Sequence, residues 1–211
     1  MNDTLPNSPS RTWTLDRYEQ VRSRLPAATF PNRPIQADGL LSVIDEFDAF
    51  VFDSYGVLNV GDQPIPGAQA CLGSLRERGK SVAVLTNAAT VPLAGLEAKY
   101  EKLGFSFARH EIISSRQVLV EALAGFDATM TWAIAAPPEA RIDELPVTCH
   151  ALTTEPASFA DCDDFVLLSS QDWTRDLQDL LTNALTNHPR PLLVGNPDIV
   201  APREGGLSLE P

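Results

Sequence analysis

The run Phe50-Val51-Phe52-Asp53-Ser54-Tyr55-Gly56-Val57-Leu58 puts a carboxylate where an apolar stretch gives way to a turn. Short, nearly continuous apolar runs mark buried parallel strands, and open α/β sheets bind ligands beyond the carboxyl ends of such strands. Asp53 is therefore a candidate nucleophile. An N-cap or turn aspartate also fits an isolated Asp-x-x-Gly pattern. Thr86-Asn87 offers a hydroxyl and an amide at the end of the apolar run Ser81 to Leu85, with a strand-ending cap as the plainer alternative. Asn196-Pro197-Asp198 follows a further run at Pro191 to Val194 and reads as a turn or as a substrate-facing segment. His110, His150 and His188 are scattered and read as solvated or capping side chains.

These groups need strands and helices to hold them. Residues 1–35 carry Pro6, Pro9, Pro26, Pro31 and Pro34 around one helical candidate, Thr14 to Leu25, and read as an extension. A short amphipathic helix is predicted next, with Asp38 as cap and Leu40, Leu41 and Ile44 as its buried face. After the Asp53 strand, Pro66-Gly67 opens a helix with Ala70, Leu72 and Leu75 on its apolar side and Gly79 as its stop. A strand at Ser81 to Leu85, a helix from Leu93 to Leu103 ending at Gly104, and a strand at Ile112-Ile113 ending in Ser114-Ser115 follow. Strand and helix alternate three times, the pattern of a doubly wound parallel sheet. After a helix at Arg116 to Leu123, a second α/β unit is expected. Its strands would be Met130 to Ala135, Val147 to His150, Phe165 to Ser169 and Pro191 to Val194, with a helix from Thr174 to Asn187 capped by Thr174 or Asp172.

Composition excludes several classes. With 211 residues, 44% of them hydrophobic, the chain can bury a sizeable core. A net charge of −12 argues against a nucleic-acid partner, because phosphate-backbone binding rests on clustered Lys and Arg. No apolar run is long enough to span a bilayer, and Met1 to Pro9 has no signal-like hydrophobic segment, so a cytoplasmic location without membrane contact is expected. Cys71, Cys149 and Cys162 are odd in number and far apart, which fits reduced, structural thiols.

The segments FDSYGVLNVGDQPIPGA, RERGKSVAVLTNAAT, EKLGF, EIISS and VGNPDIVAPREGGLSLEP are each weak signals alone. In this order and spacing, from about Gly39 to Pro211, they resemble the haloacid dehalogenase-like (HAD) superfamily. The resemblance is to its class IIA phosphatases, of the p-nitrophenyl phosphatase-like and NagD-like kind. It implies a Rossmann-like α/β core with a doubly wound parallel sheet and an inserted C2-type α/β cap. The domains expected are an extension over 1–35, the first half of the core over 36–117, the cap over 118–200, and a return towards the core over 201–211. It also implies a Mg²⁺-dependent phosphatase acting on a small phosphorylated substrate. Asp53 would form an aspartyl-phosphate and ligate the metal together with the backbone carbonyl of Tyr55, while Thr86 and the amide of Asn87 would hold the phosphoryl group. Asn196 and Asp198 would lie where the family closes its cap over the site.

Two features depart from the family. Its phosphatases carry an aspartate two residues after the nucleophile as general acid and base, and here Tyr55 stands there. A phenol of pKa about 10 can donate a hydrogen bond but is a poor base near neutral pH. The family's later lysine and Gly-Asp motifs would fall beyond Pro211, and no Lys occurs after Lys102, so the core is expected to be incomplete. An uncovered sheet edge would favour association of copies, a homo-oligomer among them. Two other readings remain open. One is a catalytically impaired HAD-like binding scaffold. The other is a metal-free 2-haloacid dehalogenase-like hydrolase, whose first motif Asp-x-Tyr-Gly also resembles, although the single helix between Gly61 and Lys80 leaves no room for its cap.

Overall fold

The computed structural model describes residues 9–30, 32–33, 36–203 and 206–209. Pro6, Pro31 and Pro34 of the expected extension lie outside the described residues, as do residues 204–205 and 210–211 of the expected return segment. The described chain divides into two compact units. The first comprises the residues up to 85 with 100–111 and 199–209; the second comprises 86–99 and 112–198.

In the first unit, helix α1 (Arg11–Val21) begins three residues before the expected start, because the Ser10 side chain accepts from the Trp13 N–H and caps it. The segment expected as an amphipathic helix after Asp38 is instead a 3₁₀ helix, Leu40–Glu46, entered through Gly39 with no side-chain cap. Ile44 is buried, but Leu40 and Leu41 are exposed. At three residues per turn Leu40 stands roughly 120° away from Ile44, while Leu41, one turn before Ile44 on the same face, lies exposed at the start of the segment.

Strand β1 (Ala49–Phe52) then leads through the short hairpin β2 (Asn59–Val60) and β3 (Gln63–Pro64) into α2 (Ala68–Glu77) and β4 (Ser81–Thr86). β1 and β4 pair in parallel from Ala49 opposite Ser81 to Phe52 opposite Val84. Leu72 and Leu75 of α2 are buried while Ala70 is exposed, and Leu75 joins Ile44, Phe50 and Val82 in one core cluster. Gly79 ends α2 at φ +71°, where a side chain would be strained. Helix α3 (Leu93–Lys102) follows. The Arg76 guanidinium grips Glu111 through two hydrogen bonds of 3.0 and 2.7 Å, and Gln69 reaches the Leu103 carbonyl at 2.6 Å.

The second unit is built on strand β5 (Ile112–Ser114), α4 (Ser115–Leu123), β6 (Thr131–Ala135), β7 (Thr148–Ala151), α5 (Ala157–Ala160), β8 (Asp164–Leu167), α6 (Arg175–Asn187) and β9 (Leu192–Val194). Strands β6 to β9 form one parallel sheet in the order β7-β6-β8-β9. Alternate residues serve opposite faces. Trp132, Ile134 and Val166 pack with Leu119 and Leu123, whereas Ala133 and Phe165 pack with Phe159, Cys162 and Leu181. Both faces are therefore covered, as a parallel sheet requires. Thr174 caps α6 by accepting from the Leu177 N–H, one of the two caps expected. A final antiparallel hairpin, β10 (Val200–Arg203) and β11 (Gly206–Leu209), belongs to the first unit and was not anticipated from the sequence. The whole is an α/β fold of the doubly wound, Rossmann-like kind.

Ser114 closes a capping box on α4: its hydroxyl accepts from the Gln117 N–H and the Gln117 side chain accepts from the Ser114 N–H. Ser114→Ala should lower stability by about 0.5–2 kcal/mol in urea denaturation. Asp164 gives a pH-dependent test. It is 3% exposed; burial raises its carboxyl pKa, the neighbouring Asp163 raises it further, and Arg190 opposes both. A folded-state pKa above the unfolded value of about 3.9 means that the group's contribution is fully present below that pH and is lost as pH rises through the folded pKa. Asp164→Asn should therefore be more stable than the parent at pH 7, with the difference vanishing near pH ~3. A less stable variant at pH 7 would contradict this account.

Candidate active site

Asp53 follows the last residue of β1 and is exposed. Its Oδ1 accepts from the Ser54 N–H at 2.7 Å, its only hydrogen bond among the described residues. The chain beyond it is tightly closed. The Ser54 carbonyl accepts from the N–H groups of Leu58 (2.8 Å) and Asn59 (3.1 Å), and the Asn59 carbonyl accepts from Gly56 (2.8 Å), which turns at φ +81°. The side chains repeat the closure: the Ser54 hydroxyl donates to Asn59 Oδ1 at 2.9 Å, and Asn59 Nδ2 donates to the Gly61 carbonyl at 2.7 Å. Ser54, Leu58 and Asn59 are each 0% exposed. Tyr55, half-buried, sits inside this loop in a parallel bridge with Asn59.

Thr86 ends β4 and is buried, its hydroxyl accepting from the Ala88 N–H at 3.4 Å. Asn87 is exposed and donates through Nδ2 to Asp198 Oδ2 at 2.7 Å, and the Asp198 N–H donates to Asn196 Oδ1 at 2.9 Å. Three expected residues distant in sequence, Asn87, Asn196 and Asp198, are thus joined in the second unit, while Asp53 and Tyr55 lie together in the first.

Sequence reasoning missed the residues that hold these groups. The Ser54–Asn59 pair carries the loop after Asp53, and its only signal is two small polar residues flanking Gly56. Arg116, 3% exposed, donates to the carbonyls of Ala89 (3.4 Å) and Arg141 (3.0 Å), and burial lowers its pKa. Gly195 is closely approached: a Cβ there would lie 3.0 Å from that of Ala89 and 3.1 Å from a Leu168 methyl, so either neighbour would have to give by a few tenths of an ångström.

The remaining candidates play structural parts. His150 bonds the Ser158 carbonyl at 2.9 Å and His188 ends α6. Cys71, Cys149 and Cys162 are free thiols whose pKa burial raises, which keeps them protonated and unreactive. Among the described residues no group of three or more His, Cys, Asp or Glu side chains could hold a metal ion, and no helix is long and apolar enough to cross a membrane. The oxygen donors at the end of β1 still suit a hard cation. Mg²⁺ keeps several waters and takes one or two carboxylates plus substrate phosphate rather than a full protein cage.

Residues 50–143 match the haloacid dehalogenase-like hydrolase family. A NipSnap protein of Caenorhabditis elegans is 42% identical over 83 residues, which are 38% of this chain and 16% of that protein. The chloroplastic phosphoglycolate phosphatase 1A of Arabidopsis thaliana is 34% identical over 80 residues, 38% of this chain and 22% of that one. The chain thus spans about a fifth of the curated relatives it matches. Among solved structures, a possible sugar phosphatase of the HAD superfamily from Cytophaga hutchinsonii superposes with a TM-score of 0.72 at 22% identity, covering 84% of this chain and 64% of that one. The haloacid dehalogenase-like hydrolase match thus takes in the Asp53 strand and the segment after it, and the fold of the chain is the one seen in that solved structure.

Proposed function

We propose that this protein is a Mg²⁺-dependent phosphatase that hydrolyses a small phosphorylated metabolite through an aspartyl-phosphate on Asp53. The observation that carries the reading is the position of Asp53: an exposed carboxylate at the end of a parallel strand, followed by a loop whose buried hydrogen bonds leave it little freedom. A nucleophile needs both accessibility and fixed aim. The name of the Arabidopsis relative, a phosphoglycolate phosphatase, supports a phosphoester substrate.

On this reading an Asp53 oxygen attacks phosphorus and the ester oxygen departs with a proton; water then cleaves the acyl phosphate and restores Asp53. The Thr86 hydroxyl and the Asn87 amide stabilise charge on the transferring group. Asp53 and the Tyr55 carbonyl would hold Mg²⁺, which when bound neutralises phosphate charge. Residues 118–200 serve as the cap, with Asn196 and Asp198 towards the substrate. A cytoplasmic location and association into a homo-oligomer complete the proposal.

Tyr55 favours a second reading, a HAD-like scaffold that binds phosphorylated ligands with little turnover, because it replaces a general acid and base. With Mg²⁺ and an aryl phosphate, Asp53→Asn should abolish hydrolysis, and Tyr55→Asp should raise it by about 10²–10⁴ where proton transfer limits the rate. Equal hydrolysis with Asn at position 53 would overturn the mechanism. Phosphate binding without hydrolysis in both the parent and Tyr55→Asp would establish the scaffold. Metal-independent halide release from a 2-haloacid would establish the dehalogenase reading instead.

A further inference from the structure

Arg116 is expensive where it stands. It is the second residue of α4, next to the positive end of the helix dipole, and only 3% exposed. Among the described residues it has no carboxylate within ion-pair distance; Asp143 and Glu144, which pair with Arg141, favour its charge only from further away. A buried charge without an ionic partner costs several kcal/mol unless hydrogen bonds compensate.

Its hydrogen bonds all go to main-chain carbonyls, two of them in the loop after Thr86-Asn87 and one at Arg141. The Arg116 N–H donates to the Ala88 carbonyl at 3.1 Å, and the guanidinium donates to the carbonyls of Ala89 and Arg141. Arg141 holds an αL conformation, φ +48°, unusual for a non-glycine residue and itself a cost. On another side, the absent side chain of Gly195 lets Ala89 pack close. The Ala88-Ala89 segment, directly after Thr86-Asn87, is thereby held by α4 and approached closely by Gly195.

We propose that Arg116 is a positioning residue for phosphate binding, its guanidinium holding the Ala89 carbonyl inward beside the Ala88 carbonyl that its main-chain N–H takes, so that the loop after Thr86 offers its N–H face to an anion. In a trans peptide the N–H points opposite to the preceding carbonyl. The Ala89 carbonyl, held by the buried cation, therefore turns the N–H of Thr90 the other way, and the cation polarises that peptide in the sense an anion prefers, while the main-chain N–H of residue 116 does the same for the Ala88 carbonyl and the N–H of Ala89. Lysine could keep the charge but cannot bridge two carbonyls with a planar fork. This inference rests on the phosphatase reading and assigns the loop's order to one side chain.

The test is a titration of the ¹⁵N-labelled 211-residue chain with inorganic phosphate in Mg²⁺, following the amide signals of residues 86–90. Wild-type protein should show phosphate-dependent shifts there. Arg116→Met should weaken phosphate binding about tenfold or more and reduce the order of amides 87–90 before ligand is added, with amides of β6 and β8 unchanged. Arg116→Lys should fall between the two. A folded Arg116→Met protein with wild-type affinity and loop order would overturn the inference and leave the phosphatase reading standing. Should Arg116→Met not fold, wild-type affinity in Arg116→Lys would overturn it and a clear loss would support it. If wild-type protein shows no phosphate response at residues 86–90, the phosphate reading itself fails and this inference falls with it.

Discussion

The buried hydrogen bond between Ser54 and Asn59 is the interaction on which the proposed chemistry depends. A strand can deliver a carboxylate to its end, but the chain that follows must turn without pulling that carboxylate into a bond of its own. Here the Ser54 carbonyl accepts from the N–H groups of Val57, Leu58 and Asn59 and the Ser54 hydroxyl donates to Asn59 Oδ1, so the turn satisfies itself internally. Only one oxygen of Asp53 is drawn in, by the adjacent Ser54 N–H. Breaking a buried pair of this kind leaves an unsatisfied polar group at a cost of about 1–3 kcal/mol, so the loop has one favoured form. The parallel pairing of β1 with β4 adds the second half of the arrangement, since parallel strands end at the same sheet edge.

Among the described residues of the second unit, the buried charges Asp164 and Arg116 act differently. Asp164 lies at the amino end of β8, away from the ligand-binding ends of parallel strands, where its burial has no compensating hydrogen bond among the described residues. Arg116 lies at the start of α4, and its bonds fix the backbone after Thr86-Asn87. A charge that fixes a loop beside candidate phosphate-binding groups has a reason to be retained despite its cost. One at the far end of a strand has no such reason, and stability is expected to improve when it is neutralised.

The periodic elements were legible in the sequence because apolar runs and their punctuation carry local information. The strands at 81–86, 131–135 and 192–194 and the helix capped by Thr174 stand within a residue or two of their expected bounds. The 3₁₀ segment at 40–46 was not, because a seven-residue apolar pattern does not distinguish three residues per turn from 3.6. Asp53, Thr86 and Asn87 could be singled out as strand-end polar groups. Their supports could not: the Ser54–Asn59 closure, the carbonyls gathered by Arg116, and the approach of Gly195 to Ala89 depend on three-dimensional contacts between segments up to about a hundred residues apart.

Tyr55 affects the two halves of the proposed reaction unequally. Departure of the ester oxygen needs a proton donor, a role open to a phenol O–H, and an aryl leaving group needs little help. Hydrolysis of the acyl phosphate on Asp53 needs a base to activate water, a task for which a carboxylate is better suited than a phenol. The expected consequence is that the second step slows more than the first, so the phosphorylated form of Asp53 persists. Tyr55 sits within the loop locked by Ser54 and Asn59, so a carboxylate substituted there would inherit a fixed backbone position next to the nucleophile. The difference between slow turnover and stable capture of phosphate would then rest on a single side chain held in a rigid frame.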